Sequence, residues 1–186
     1  MNGPEAPKAH LMQFKNPEEH NGLEHVVYYT VADNVPNDLF AYGREAMFCF
    51  IQQRYIASVT MAFATVELIL NKDSRMRAGS KGWRSLNAKL ARSAEAKGLP
   101  VESLLEPHET FKTDSSARFI ALRNQLAHGN LESVIEFKSG GPTDYNPNAR
   151  EVALHQLNKA QAFVVKWFNS APDIQGGLVK GHVWPE

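Results

Sequence analysis

Apolar residues recur at helical spacing along most of this chain. Phe40, Met47, Ile51, Tyr55, Val59, Ala62, Val66 and Leu70 follow one another at threes, fours and a single seven, with no proline and only Gly43 among them. That period predicts one long amphipathic helix over 38–71, or two nearly collinear helices meeting near residues 54–58. Asn37, just after Pro36, is placed to cap its start. Leu86 and Leu90 predict a helix over 83–97, stopped by Gly98 and Pro100, and residues 101–105 predict a short helical turn. Phe119, Leu122 and Leu126 fall at i, i+3 and i+7, predicting a helix capped by Ser115 or Ser116 and ending at Ala127 or His128. Val152, Leu157, Ala160, Val164, Trp167 and Phe168 predict a last helix over 149–170, with Asn148 and Glu151 as its capping box.

Between these stripes lie short β-prone runs. Residues 26–32 and 131–138 predict strands, and 178–184 alternates weakly enough to add a third. The chain therefore reads as mainly α: an antiparallel bundle of four to five helices with a small peripheral β-sheet at one end. Residues 1–36 form an N-terminal extension with one strand, 37–170 the helical domain, and 171–186 a C-terminal tail. The first 22 residues, rich in Pro, Asn, Glu and His, predict little ordered packing.

Composition changes this picture in two places. With 43% apolar residues the chain has enough to build a core, and its one cysteine, Cys49, sits in an apolar helical run and reads as a buried thiol. No apolar stretch reaches 18 residues and the N-terminus lacks a signal peptide's apolar core, so the expectation is a soluble, cytoplasmic protein with no membrane contact. His10, His20 and His25 lack metal-ligand spacing, so no metal or cofactor is expected. Gly79-Ser80-Lys81-Gly82 lacks the strand and spacing of a phosphate-binding loop. No basic helix-turn-helix pattern points to sequence-specific DNA binding.

The net charge is zero but unevenly spread. Between residues 72 and 97, eight basic residues (Lys72, Arg75, Arg77, Lys81, Arg84, Lys89, Arg92, Lys97) face only Asp73 and Glu95, leaving the rest of the chain at −6. Such asymmetry can steer a polyanion to one face; the same residues also make an ordinary solvated helix face.

The segment Leu122-Arg123-Asn124-Gln125-Leu126-Ala127-His128-Gly129 carries the chemistry. On a helix Asn124 and His128 lie about 40° apart and Arg123 about 140° from His128, while Gly129 suits the left-handed position that ends a helix. Arginine offers a planar fork of donors for phosphate oxygens, and histidine can take and give a proton near neutral pH. RNA brings its own nucleophile, the 2′-hydroxyl, so one such pair is a minimal half-site for metal-free phosphodiester cleavage. The alternative is a plain helix end, with a histidine near the negative end of the helix dipole and an arginine paired to a carboxylate.

Arg123-Asn124-x-x-Ala127-His128-Gly129 on a late amphipathic helix resembles the signature of the HEPN superfamily, an arginine, a polar residue and, a few residues on, a histidine. The resemblance is specific over 119–130 and rests on helix order over 37–170. It implies an all-α domain, a homodimer whose two motifs face each other in one composite site, and RNA cleavage leaving a 2′,3′-cyclic phosphate, in toxin, defence or RNA-processing roles. On that resemblance His128 is base or acid, Arg123 binds phosphate, Asn124 holds geometry, and Glu67 on an upstream helix orients Arg123 or His128. Lys72, Arg75, Arg77, Lys81, Arg84 and Lys89 would guide the RNA. The family also contains non-catalytic modules that bind RNA, nucleotides or a partner protein, and the motif alone does not separate the two. A third reading is a structural or partner-dependent helical protein, such as an antitoxin-bound or regulatory subunit.

Overall fold

In the computed structural model the described residues are 9–13, 25–29, 37–77, 85–113, 117–130 and 148–170. They are mainly helical: α1 (Asn37–Ile51), α2 (Tyr55–Lys72), α3 (Ser74–Arg77), α4 (Ala88–Ala96), a 3-10 turn (Val101–Leu104), α5 (Arg118–Ala127) and α6 (Asn148–Ser170). Two short strands, β1 (Ala9–Gln13) and β2 (His25–Tyr29), pair antiparallel with Ala9 opposite Tyr29 and Gln13 opposite His25. The expected sheet partners at 131–138 and 178–184 lie outside the described residues, so the three-stranded sheet is not shown.

The long apolar stripe is neither one helix nor a collinear pair. It breaks at Gln52-Gln53-Arg54, where Gln53 takes a left-handed conformation (φ 61°). From there α2 turns back along α1. The buried Ser58 hydroxyl donates to the Ala46 carbonyl at 2.8 Å, and the Phe50 and Tyr55 rings meet at 5.8 Å. The physical reason is burial: folding back lets Leu39, Ala46 and Phe50 of α1 share one core with Val59, Phe63 and Val66 of α2, which two end-to-end helices could not do. Cys49 is buried as expected, and burial pushes its thiol pKa up.

Two helices end in the same device. Gly98 and Gly129 both adopt positive φ (74° and 72°). After α4, Gly98 N–H bonds to the Glu95 carbonyl and Leu99 N–H to that of Ala94. This is the paired closure that a left-handed glycine permits. The start of α4 is set at Asn87, whose side chain accepts from Leu90 N–H at 2.9 Å, so the helix begins five residues later than its stripe predicts.

α6 is the central element. Trp167, Phe163 and Phe168 are among the largest fully buried side chains, and Ala153, Leu157 and Ala160 line the same helix. Arg150 lies over the Phe50 ring near the α1–α2 turn, and Trp167 bonds Asp73 at the far end of α2. α2 and α6 therefore run in the same direction. So do α2 and α5: Phe63 packs edge-on to Phe119 at 4.6 Å, and four residues further on Glu67 meets Arg123. The antiparallel neighbour relation holds for α1 against α2. α5 thus lies parallel to α2, not antiparallel as expected.

Of the buried amides, Gln156 is the least well paired. Gln156 is fully buried, yet neither of its amide atoms has a hydrogen-bond partner among the described residues. Burying such a group unpaired costs about 1–3 kcal/mol. Gln156→Leu is therefore expected to raise the unfolding free energy by about that amount, checked by urea titration; an unchanged or lower midpoint would contradict it.

Candidate functional site

α5 holds the motif because three of its residues, Phe119, Ile120 and Leu122, are buried in the core and fix which side faces out. Its first turn is capped from a distance. Ala117 offers no side-chain acceptor, but the Glu109 carboxylate accepts from Arg118 N–H at 3.0 Å and from Glu106 N–H at 2.8 Å. The expected caps, Ser115 and Ser116, lie outside the described residues. At the other end Gly129 N–H bonds the Leu126 carbonyl and Asn130 N–H bonds that of Gln125. His128 sits just past the last helical residue at φ −94° and ψ 6°, exposed, its N–H on the Asn124 carbonyl.

Arg123 is held on two sides. Its Nε donates to Glu67 Oε1 at 2.6 Å and its Nη1 to Asn124 Oδ1 at 3.2 Å. Both partners of the ion pair are about four-fifths buried, with side-chain exposures of 19% and 18%. The same Glu67 oxygen accepts from Leu86 N–H at 2.7 Å. One carboxylate thus fixes the arginine and the chain entering α4. With Nε and one Nη1 hydrogen engaged, the guanidinium keeps further Nη hydrogens, donors of the kind that pair with phosphate oxygens.

The structure brings Glu67, Arg123 and Asn124 into one hydrogen-bonded unit and sets His128 about one turn further along, at the exposed tip. Glu67 touches Arg123 and Leu86, and no contact between Glu67 and His128 is seen among the described residues.

The basic segment is less uniform than its sequence. Arg75 donates through Nε and Nη2 to Asp73 at 3.0 and 2.8 Å, so its charge is matched within the fold. Arg92 supports the backbone, donating to the carbonyls of Phe111 and Lys112 at 2.6 and 2.8 Å. Lys89 is exposed and Lys72 half-buried. Arg77 closes α3, while Lys81 and Arg84 lie outside the described residues.

A charged cluster that periodicity does not reveal joins the 3-10 region to α6. Glu106 Oε1 meets His155 Nε2 at 2.5 Å and Lys159 Nζ at 2.7 Å, and Lys159 also donates to the Leu104 carbonyl at 3.1 Å. Burial raises the Glu106 pKa, but the hydrogen bonds from Lys159 and His155 outweigh it and hold the carboxyl below its usual range. The only sequence signal is the i,i+4 spacing of His155 and Lys159; the carboxylate stands 49 residues before the histidine. A surface groove of about 480 Å³, lined by Glu95, Leu99, Glu102, Lys166 and neighbours, contains none of the motif residues.

Among the described residues no helix is long and apolar enough to cross a membrane. No family model matches the chain, and neither a curated protein nor a solved structure matches it.

Proposed function

We propose that this protein is a HEPN-like, metal-independent endoribonuclease that cleaves RNA by attack of the 2′-hydroxyl on the adjacent phosphate. The observation that carries the reading is the Glu67–Arg123–Asn124 unit: a phosphate-sized fork, pre-oriented by a carboxylate, one turn from a solvent-facing imidazole. In this reading Arg123 binds the scissile phosphate and stabilises the charge that grows on it in the transition state. His128 takes the proton of the 2′-hydroxyl or gives one to the departing 5′-oxygen. A composite site in a homodimer would let one histidine serve each role. The reading carries with it a HEPN-like helical bundle and peripheral sheet, a cytoplasmic location, and toxin, defence or RNA-processing work.

One observation favours the alternative, a HEPN-like module that binds RNA, nucleotide or protein without cleaving. Glu67 is spent on Arg123 and Leu86, so no carboxylate among the described residues is seen to orient His128. The deciding experiment incubates the purified protein with end-labelled RNA in EDTA and identifies the 3′ ends. Cyclic-phosphate ends are expected. RNA that is bound and left intact across the pH range would overturn the nuclease reading and leave the binding module.

A further inference from the structure

Two carboxylates hold the motif helix, and each also takes the backbone N–H of a connecting segment. Glu67 accepts from Arg123 and from Leu86 N–H. Glu109 accepts from Arg118 N–H, at the start of α5, and from Glu106 N–H. The second arrangement reaches further, because Glu106 is itself anchored on α6 by Lys159 and His155. Lys159, only 10% exposed, also donates to the Leu104 carbonyl. From α4, Arg92 grips the Phe111 and Lys112 carbonyls. The chain between the 3-10 turn and α5 is thus tied to α4, α5 and α6.

α5 needs such a tie. It spans ten residues, below the roughly 12–15 that an isolated helix requires, and its N-cap Ala117 has no side-chain oxygen. Its buried side chains set which side faces the core, but apolar contact is non-directional. Hydrogen bonds also fix position. Glu109 at Arg118 and Glu67 at Arg123 hold the helix at two points about 7.5 Å apart along its axis. A shift of about 1 Å in a catalytic group can cost about 100-fold in rate.

We propose that Glu109 is a positioning residue for the motif: anchored to α6 through Glu106 and Lys159, it sets where α5 starts and hence where Arg123 meets Glu67. Among the described residues no contact joins Glu109 to Arg123 or His128, so it acts through the helix. Its effect on cleavage rests on the nuclease reading; its effect on Arg123 does not.

Nuclear magnetic resonance of the full chain tests it, reading the exchange of the Arg123 Nε–H with water. Glu67 holds that proton, and its signal is identified by its loss in Arg123→Lys. Glu109→Ala should speed the exchange at least about tenfold. Lys159→Met, which cuts the anchor without touching α5, should act in the same direction. Glu109→Gln keeps the shape and one acceptor oxygen, so it should fall between wild type and Glu109→Ala, and it carries the test if the alanine variant does not fold. A plain cap would alter only the first turn of α5 and leave the Arg123 Nε–H as in wild type. On RNA, Glu109→Ala should lower kcat about tenfold or more with KM little changed. Wild-type exchange at Arg123 in the Glu109 variants or in Lys159→Met would overturn the proposal, as would an unchanged kcat. A wild type that cleaves no RNA would overturn the nuclease reading instead, and the exchange rates would still decide the role of Glu109.

Discussion

His128→Ala protein is expected to cleave RNA about 10²–10⁴-fold more slowly than wild type, with its thermal midpoint unchanged. The imidazole is solvent-exposed, and the helix end around it is closed by backbone bonds from Gly129 and Asn130 that do not involve the side chain. Loss of activity would thus report chemistry and not unfolding. Arg123→Lys makes a paired test. Arginine can give Nε to Glu67 and still present two nitrogens to a phosphate; a lysine ammonium is one point donor and cannot replace both contacts. Activity should fall by about 10²–10³-fold, the usual effect of removing one transition-state donor. Full cleavage by either purified variant would take the reaction away from this helix.

Trp167→Ala should be among the most damaging substitutions in the chain, costing about 3–5 kcal/mol. The indole is 1% exposed, and its Nε1 donates to Asp73 Oδ2 at 2.8 Å. Removing it opens a cavity and strips a donor from a carboxylate that is itself buried. In a domain of this size the midpoint should drop by about 10 °C or more. Trp167→Phe separates the two causes, because it keeps most of the volume and loses only the hydrogen bond. Burial raises the Asp73 pKa, but hydrogen bonds from Arg75 and Trp167 outweigh this and keep the carboxyl below its ordinary 3.8. A depressed folded pKa contributes stability above the unfolded value and loses it as the pH falls towards the folded one. Wild type should therefore lose stability on acidification below about pH 4, and Trp167→Phe should lose less. Equal acid sensitivity in denaturant titrations of the two would contradict the assignment.

The sequence made the helices legible and their directions illegible. The α6 stripe, the short turn after Pro100 and the end of α5 at His128 all follow from local rules of period and capping. The α1–α2 break carries no Gly or Pro; it is made by Gln53 in a conformation that glutamine rarely takes, so no local rule could announce it. The cap of α5 is Glu109, nine residues upstream and across a loop, which no capping pattern covers. At the site, Arg123 and Asn124 could be read from the motif. The bond to Glu67 spans 56 residues and could be named only by resemblance. The pairing of Arg75 with Asp73 shows the opposite failure: a charge count treats every cation as available, whereas burial beside a carboxylate had already committed this one.

The central position of α6 also sets an order of events during synthesis. α2 rests against a helix that begins roughly 75 residues after α2 ends, so at about 5–20 residues per second the ribosome takes several seconds to deliver its partner. Through that interval the core that α2 shares with Leu157, Phe163 and Trp167 of α6 is incomplete. A chain that ended before residue 148 would thus carry an unfinished core, whatever helices it had already formed.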